Sequence, residues 1–462
     1  MVRADIKADV VAPDQSPHAH GVHSMSTVLP AAHAAEENAA INMSGRRAIV
    51  VSTIGNALEW FDFMVYGFFA VIIAKLYFPA TNPTISLLAT WATFGVGFLT
   101  RPLGGIVLGA VADRVGRKSA LTLTISLMAV GIAIIAFAPT YAAIGIAAPL
   151  LMLLGRLIQG FSAGGEVGCA TAFLVEYAPA NKRGYFGSFQ MVAQAAASLA
   201  GSFFGAVLTR TLSPEHLNSW GWRVPFVCGL LIVPVGLYLR SKLDESPVFV
   251  EKAQKNELSA RPIRDTATKH WMPVLAGFGL TVFGTIGTYI FLLYLPTHAT
   301  RVLHMALTDG LISSTIGALV YLVCCPIFGR LSDRVGRKKL MATALALSLV
   351  TAYPIFAVLT AHPSLPMLIV CQALLMTYLG IFQGCYPAFI SELLPSSVRS
   401  TGISVSYNVA VMIFGGFAPA IVQWLTMTTG DPLSICYYVI FGSAVALLTI
   451  LPLRDRYSDA LR

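Results

Sequence analysis

Five ionisable side chains stand out by position: Glu59, Asp62, Arg101, Arg156 and Glu166 each sit inside a long apolar run. Holding such a group at bilayer depth costs about 2.5 to 3.5 kcal/mol on insertion scales, so each one requires a reason. At about 100° per residue, Asn56, Glu59, Asp62 and Tyr66 fall within roughly a third of a helix's circumference, which makes one polar face on an apolar helix. Arg156, Gln159 and Glu166 share one side of another helix by the same count. A carboxylate that is ionised while it faces an arginine, and neutral when an incoming anion claims that arginine, ties proton movement to anion movement. A guanidinium can also grip a carboxylate with two parallel hydrogen bonds, which makes Arg101 a candidate anion ligand. The bland alternative is that these charges pair with one another and only hold helices together.

The elements that position them follow from composition. Of 462 residues, 56% are apolar and 11% are charged, against about 25% charged in a soluble domain. Crossing about 30 Å of hydrocarbon takes about 20 helical residues. Twelve stretches qualify, near 48–78, 84–111, 119–138, 146–174, 184–208, 222–240, 271–295, 308–331, 340–361, 364–390, 401–425 and 433–453. The chain reads as an all-α membrane protein. With the N-terminus inside, four basic residues lie outside (Lys75, Arg210, Arg223, Arg301), two within spans (Arg101, Arg156), and the remaining 25 of 31 on the cytoplasmic side, where basic residues are retained. The net charge of +9 then reads as topology and contact with anionic lipid rather than nucleic-acid binding. All seven cysteines fall in predicted helices without a CxxC pair, so neither disulfides nor a metal cluster is expected. Residues 1–45 are polar and Ala-rich, lack a secretory apolar core, and read as a disordered cytoplasmic tail. The first six-helix bundle is then 46–240, a charged cytoplasmic linker 241–270, the second bundle 271–454 and a final cytoplasmic tail 455–462. His298 and His304 read as loop residues at the outer end of the seventh stretch.

The hexapeptide DRVGRK occurs at Asp113–Lys118 and again at Asp333–Lys338, each time with a glycine four residues upstream, Gly109 and Gly329. Glu176, Pro179 and Arg183 recur as Glu392, Pro395 and Arg399. The first landmark repeats after 220 residues and the second after 216, so one duplication accounts for both. Gly105, Gly109 and Asp113 form a slowly drifting stripe along which a neighbouring helix can approach. An aspartate there can accept from the exposed N–H groups of another helix's first turn. Arg114 and Arg117, and their counterparts Arg334 and Arg337, can bond carboxylates or final carbonyls, and the Glu176–Arg183 loop is a natural partner.

Two six-helix halves carrying G-x-x-x-D-R-x-G-R-K after the second and eighth helices resemble the major facilitator superfamily, over nearly all of residues 46 to 454. GNALEWFDFMVYG from Gly55, FLTRPLGG from Phe98, RLIQGFSAGGE from Arg156, WGWRVPF from Trp220 and SYNVAVMIFGG from Ser406 are similar to its metabolite:proton symporter branch. That branch includes carriers for citrate, oxoglutarate, shikimate, phthalates and betaine or proline, and Thr93–Glu251 looks most like its di- and tricarboxylate carriers.

The resemblance implies two pseudo-symmetric bundles with inverted three-helix repeats, rocking about one central cavity. It implies that Glu59, Asp62, Arg101 and Arg156 form the floor of that cavity. It also implies that Gly109, Asp113, Arg114, Gly116, Arg117, Glu176 and Arg183, with Asp333, Arg334, Arg337, Glu392 and Arg399, latch the outward-open state from the cytoplasmic side. Proton-coupled sugar carriers of the superfamily pair an aspartate of helix 1 with the arginine of the helix 4 motif, which corresponds to Asp62 and Arg156 here. Asp62 is then the coupling acid and Glu59 its rival. Arg101 would hold the substrate with Asn56, Tyr66, Gln159 and Glu166 and, from the second half, Gln383, Tyr407 and Asn408. The expected activity is uptake of a small organic anion, a di- or tricarboxylate, in symport with protons, by a monomer in a bacterial inner membrane, with both termini inside and no cofactor. A zwitterionic osmolyte or aromatic acid is the alternative cargo, and a transport-inactive ligand sensor the alternative class. The chain stops at residue 462, shortly after its last span, which speaks against a sensor or osmosensor. The sequence holds no G-x-x-x-x-G-K-[ST] loop for nucleotide and no HExxH pair, so neither ATP drive nor an intramembrane enzyme is expected.

Overall fold

The computed structural model describes residues 53, 56–57, 59–115, 117–176, 178–241, 266, 268–395, 398–459 and 461, with side chains except at 109–122, 169, 173, 231–232 and 239–241. The 1–45 tail, Gly116, the side chains of Asp113, Arg114 and Arg117, and almost all of the 241–270 linker therefore lie outside the described residues.

Hydrocarbon offers backbone groups no partners, so a chain this apolar must satisfy them within helices. Among the described residues, nine helices have the length and apolarity to span a bilayer, a bent pair makes a tenth, and two shorter apolar helices bring the set to twelve. They are α1 (Glu59–Phe68 and Ala70–Tyr77), α2 (Pro83–Leu108), α3 (Leu123–Phe137), α4 (Ala147–Glu176), α5 (Arg183–Thr211) and α6 (Gly221–Tyr238) in the first half. The second half holds α7 (Trp271–Arg301), α8 (Leu307–Val335), α9 (Arg337–Ala361), α10 (Leu365–Leu393), α11 (Arg399–Thr429) and α12 (Ser434–Ile450). α1 is not straight but bends by 68° at Phe69. α7 is the buried axis of the second half, with 94% of its most apolar stretch inside the protein, against 33% for α9.

Two backbone contacts set the geometry of the functional region. A methyl group on Gly160 of α4 would overlap the Gly97 carbonyl of α2, and one on Gly164 would overlap the Arg101 carbonyl. The two helices therefore touch backbone to backbone, which only glycine permits. The glycine of the second DRVGRK has a different task. Gly336 has φ of 96°, a conformation that L side chains rarely adopt, and it lets α8 end at Val335 and α9 begin at Arg337 without a loop.

The halves meet at the end that bears the motifs through charge. Asp333 of α8 accepts from the backbone N–H groups of Gly184 (2.8 Å) and Tyr185 (3.0 Å), the exposed first turn of α5, as the repeat predicts. Arg337 bridges Asp333 at 3.2 Å and Glu392 at 3.0 Å, and Arg183 reaches Glu392 at 3.6 Å. The second copy of the loop motif answers the first: Arg399 pairs with Glu176 at 2.5 Å. Arg334 is exposed and takes no part in this cluster. At the far end the contacts are aromatic and small-residue. Trp91 of α2 meets Tyr294 of α7 edge-on at 5.9 Å, Leu311 of α8 lies over Gly205 of α5, and Thr315 donates to Ser202. Both ends are thus closed.

Candidate functional site

Asp62 and Arg156 are buried together, with relative exposures of 1% and 0%. They are 3.8 Å apart, and Gln159 sits between them. Its amide nitrogen donates to Asp62 Oδ2 at 2.5 Å, and its amide oxygen accepts from Arg156 Nη1 at 2.9 Å. The Arg156 guanidinium lies over the rings of Phe63 (4.4 Å), Phe94 (4.7 Å) and Tyr66 (4.8 Å). Asp62 Oδ1 and Arg156 Nε and Nη2 have no hydrogen-bond partner among the described residues. A buried ion pair left half-satisfied in this way is costly unless another state of the protein completes it.

Arg101, 1% exposed, is flanked by aromatic rings. Its guanidinium lies 4.6 Å from the Phe98 ring, 5.0 Å from Phe63 and 5.5 Å from Trp60. Nε and Nη1 are buried without a hydrogen-bond partner among the described residues. The Phe98 and Trp60 rings also pack on Tyr289 of α7, at 5.5 and 6.3 Å, so Arg101 stands one aromatic layer behind that tyrosine.

In front of the layer is a small polar chamber between the halves. It is lined by Gln194 of α5, by Thr281, Gly284, Thr285, Thr288 and Tyr289 of α7, by Gln383 and Tyr386 of α10 and by Tyr407 of α11. None of Glu59, Asp62, Arg101 or Arg156 lines it, which corrects the expectation that these four make its floor. The physical reason is the closure of both ends: the α1 and α2 rings and Tyr289 fold over the two guanidinium groups and screen them from the chamber. From the second half, Gln383 and Tyr407 both face the chamber.

Other candidates separate. Glu166 does not join Arg156 and Gln159, because a turn at Gly164–Gly165 interrupts α4 and breaks the 100° count. It lines a second chamber inside the first half, between α1, α3, α4 and α6, and so does Glu59. Glu59 remains within electrostatic reach of Tyr407. Asn56 donates to the Gln190 carbonyl of α5 and Tyr66 to the Thr90 carbonyl of α2, so both tie helices together. Asn408 likewise donates to the Gly164 carbonyl across the halves. His298 is not in a loop: α7 continues to Arg301, and the imidazole is fully buried between Tyr294 and Phe356. His304 does lie beyond the helix, with φ of 56°.

Thr285, which the sequence reading left out, matters to the site together with Tyr289. Thr285 and Tyr289 face the chamber, and their hydroxyl oxygens are buried without a partner among the described residues. Thr281, Thr285, Thr288 and Tyr289 recur at i, i+4, i+7 and i+8, so a regular helical count along α7 places them on one face. Arg223, from WGWRVPF, binds the carbonyls of Ala136 and Ala138 and the Tyr77 hydroxyl, which knits α1, α3 and α6 and accounts for that motif by structure alone.

The comparisons with known proteins fit this geometry. The family model of the Major Facilitator Superfamily matches residues 53–419 and 286–461. A citrate-proton symporter from Klebsiella pneumoniae is 39% identical over 415 residues, 90% of this chain and 93% of that one. A proline/betaine transporter from Salmonella typhimurium is 32% identical over 426 residues, 90% of this chain and 85% of its own. Among solved structures, the E. coli xylose transporter XylE in a partially occluded inward open conformation superposes with a TM-score of 0.72 at 17% identity, covering 90% of this chain and 99% of that one.

Proposed function

The chain belongs to the major facilitator superfamily, and from that premise we propose that it takes up a small organic anion, a di- or tricarboxylate of the citrate kind, in symport with protons by alternating access. It is a multi-pass membrane protein. In this reading it sits as a monomer in a bacterial inner membrane, and the motif end faces the cytoplasm, where the excess of basic residues lies.

One observation carries the reading: a closed chamber of neutral hydrogen-bonding groups, with a guanidinium bearing two unpartnered N–H groups directly behind one of its walls. An anion entering the chamber draws Arg101 past the Tyr289 ring and satisfies Nε and Nη1 with a carboxylate, a bidentate match that lysine lacks. Arg156 and Asp62 lie in the same aromatic cluster, so a negative charge that arrives there competes for Arg156. Asp62 then takes a proton, since an isolated buried carboxylate is unfavourable as an anion. Opening toward the cytoplasm releases the anion, Arg156 returns to Asp62, and the proton leaves.

Energised vesicles that contain the protein should accumulate labelled citrate or oxoglutarate, and a protonophore should abolish the accumulation. Asp62→Asn should lose accumulation against a gradient while it keeps exchange of internal for external substrate. The 32% identity to a proline/betaine transporter supplies the competing cargo. Uptake of betaine alone overturns the anion reading, and intact accumulation in Asp62→Asn with loss in Glu59→Gln moves the coupling role to Glu59.

A further inference from the structure

The chamber holds a distinction that the proposed transport reading does not use. Its polar side chains are of two kinds. Thr281 is bonded to the Tyr386 hydroxyl at 2.7 Å, and Thr288 donates to the Gly284 carbonyl at 2.9 Å, so these already have partners. Thr285 and Tyr289 differ, because their hydroxyl oxygens are buried, 5% and 1% exposed by residue, with no hydrogen-bond partner among the described residues. They are neighbours: both lie against Gly415 of α11, where a side chain would strike the Thr285 hydroxyl and the Tyr289 ring at once. That glycine closes a π-helical turn of its own, Val411–Gly415, opposite the π-helical turn that carries Tyr289. Such turns cluster at functional sites. Two side chains with unspent hydroxyl groups thus meet at one glycine, beside two irregular turns.

We propose that Thr285 and Tyr289 form a subsite that reads an alcohol group on the transported carboxylate, so that the carrier selects hydroxy acids over their deoxy analogues. The inference rests on the anion reading above. An alcohol needs one donor and one acceptor, and two neutral hydroxyl-bearing side chains one helical turn apart can supply both. A carboxylate at this pair would call for a cation beside it, and neither Thr285 nor Tyr289 supplies one. A quaternary ammonium would call for open aromatic faces. Tyr289 is instead packed against Phe94, Phe98 and Trp60, and Tyr386 is stacked on Phe382. In this arrangement Arg101 takes the charge and the α7 pair takes the alcohol.

The test is uptake of labelled citrate and of tricarballylate, which is citrate without its hydroxyl, by vesicles containing the full chain. Leaving a buried hydroxyl unpaired costs about 1–3 kcal/mol, so the wild type should prefer citrate by roughly ten-fold or more. In Thr285→Val and in Tyr289→Phe the preference should collapse, because citrate uptake falls about ten-fold further than tricarballylate uptake. Thr285→Ser, which keeps the hydroxyl, should restore it, and this separates the subsite from a packing defect. Equal uptake of both acids by the wild type, or an equal fall for both in the variants, overturns the subsite while the anion reading stands. Uptake of neither acid, with betaine carried, overturns the anion reading and the subsite with it.

Discussion

The two ends of the inter-bundle interface are closed by different chemistry. At the motif end the duplicated sequence supplies the closure: an aspartate on one helix's first turn, an arginine shared by two carboxylates, and reciprocal glutamate–arginine pairs. At the far end Trp91 meets Tyr294, Leu311 covers Gly205, and no ion pair joins the halves among the described residues. Directional, charge-assisted contacts are lost abruptly once their geometry fails, whereas apolar contacts weaken in proportion to the area exposed. A carrier that closes one end with each kind therefore has one gate sensitive to charge and salt and one sensitive to shape.

Asp333 is the sharpest place to break that contrast. Removing its carboxylate in Asp333→Ala leaves the Gly184 and Tyr185 amides without their acceptor and Arg337 without one of its two partners. Hydrogen bonds to charged groups contribute about 1.5–3 kcal/mol each, so the closed motif end should lose on the order of 100-fold in population. Ser188 is fully buried on α5 and faces Gly329 of α8. The labelling rate of Ser188→Cys by a maleimide should rise steeply when Asp333→Ala is added, and uptake should fall. An unchanged labelling rate would show that the aspartate is ornamental to the gate.

The far end should respond with the opposite sign. An ideal Cβ on Gly205 already comes within 3.1 Å of Leu311, so Gly205→Leu forces α5 and α8 apart there. Overpacking costs about 1–3 kcal/mol, and the expected outcome is a roughly ten-fold shift toward an open far end. Labelling at Ser188→Cys should then slow, and 0.5 M salt should leave the effect as it is, since no charge is involved.

The same contrast explains what could be read from the sequence. Motif-end contacts were legible because they repeat: the expectation that an aspartate accepts from a neighbouring first turn describes Asp333 and Gly184. The twelve helices were legible from apolar length alone, and the pairing of Asp62 with Arg156 from the resemblance to proton-coupled sugar carriers. The rest was hidden for other reasons. The turn at Gly164–Gly165 interrupts α4 between Gln159 and Glu166, and the neutral hydroxyl groups of Thr285 and Tyr289 carry no charge to mark them inside an apolar run. Closure of both ends placed Arg101 behind Tyr289. A regular 100° count cannot anticipate a broken turn such as Gly164–Gly165, and it says nothing about which conformation a two-state carrier adopts.

The smallest effect is expected where the motif-end chemistry meets water. Glu176 pairs with Arg399, yet the glutamate is 40% exposed while the arginine is 2% exposed. Solvent and ions reach the carboxylate, so the pair falls near the surface class, whose contribution is about 0–1 kcal/mol. Arg399 also donates through Nε to the Ser391 carbonyl at 2.9 Å, so the guanidinium stays anchored when the carboxylate is neutralised. Glu176→Gln should therefore shift the motif-end equilibrium only about two- to five-fold. That shift should vanish as salt is raised from 0.05 to 0.5 M, because the Debye length then falls well below 10 Å. Arg399→Gln should cost more, since it removes the buried partner and its bond to Ser391 together. Equal effects from the two variants, or a Glu176→Gln effect indifferent to salt, would mean that the pair acts as a buried one and that the motif end is closed by shape as much as by charge.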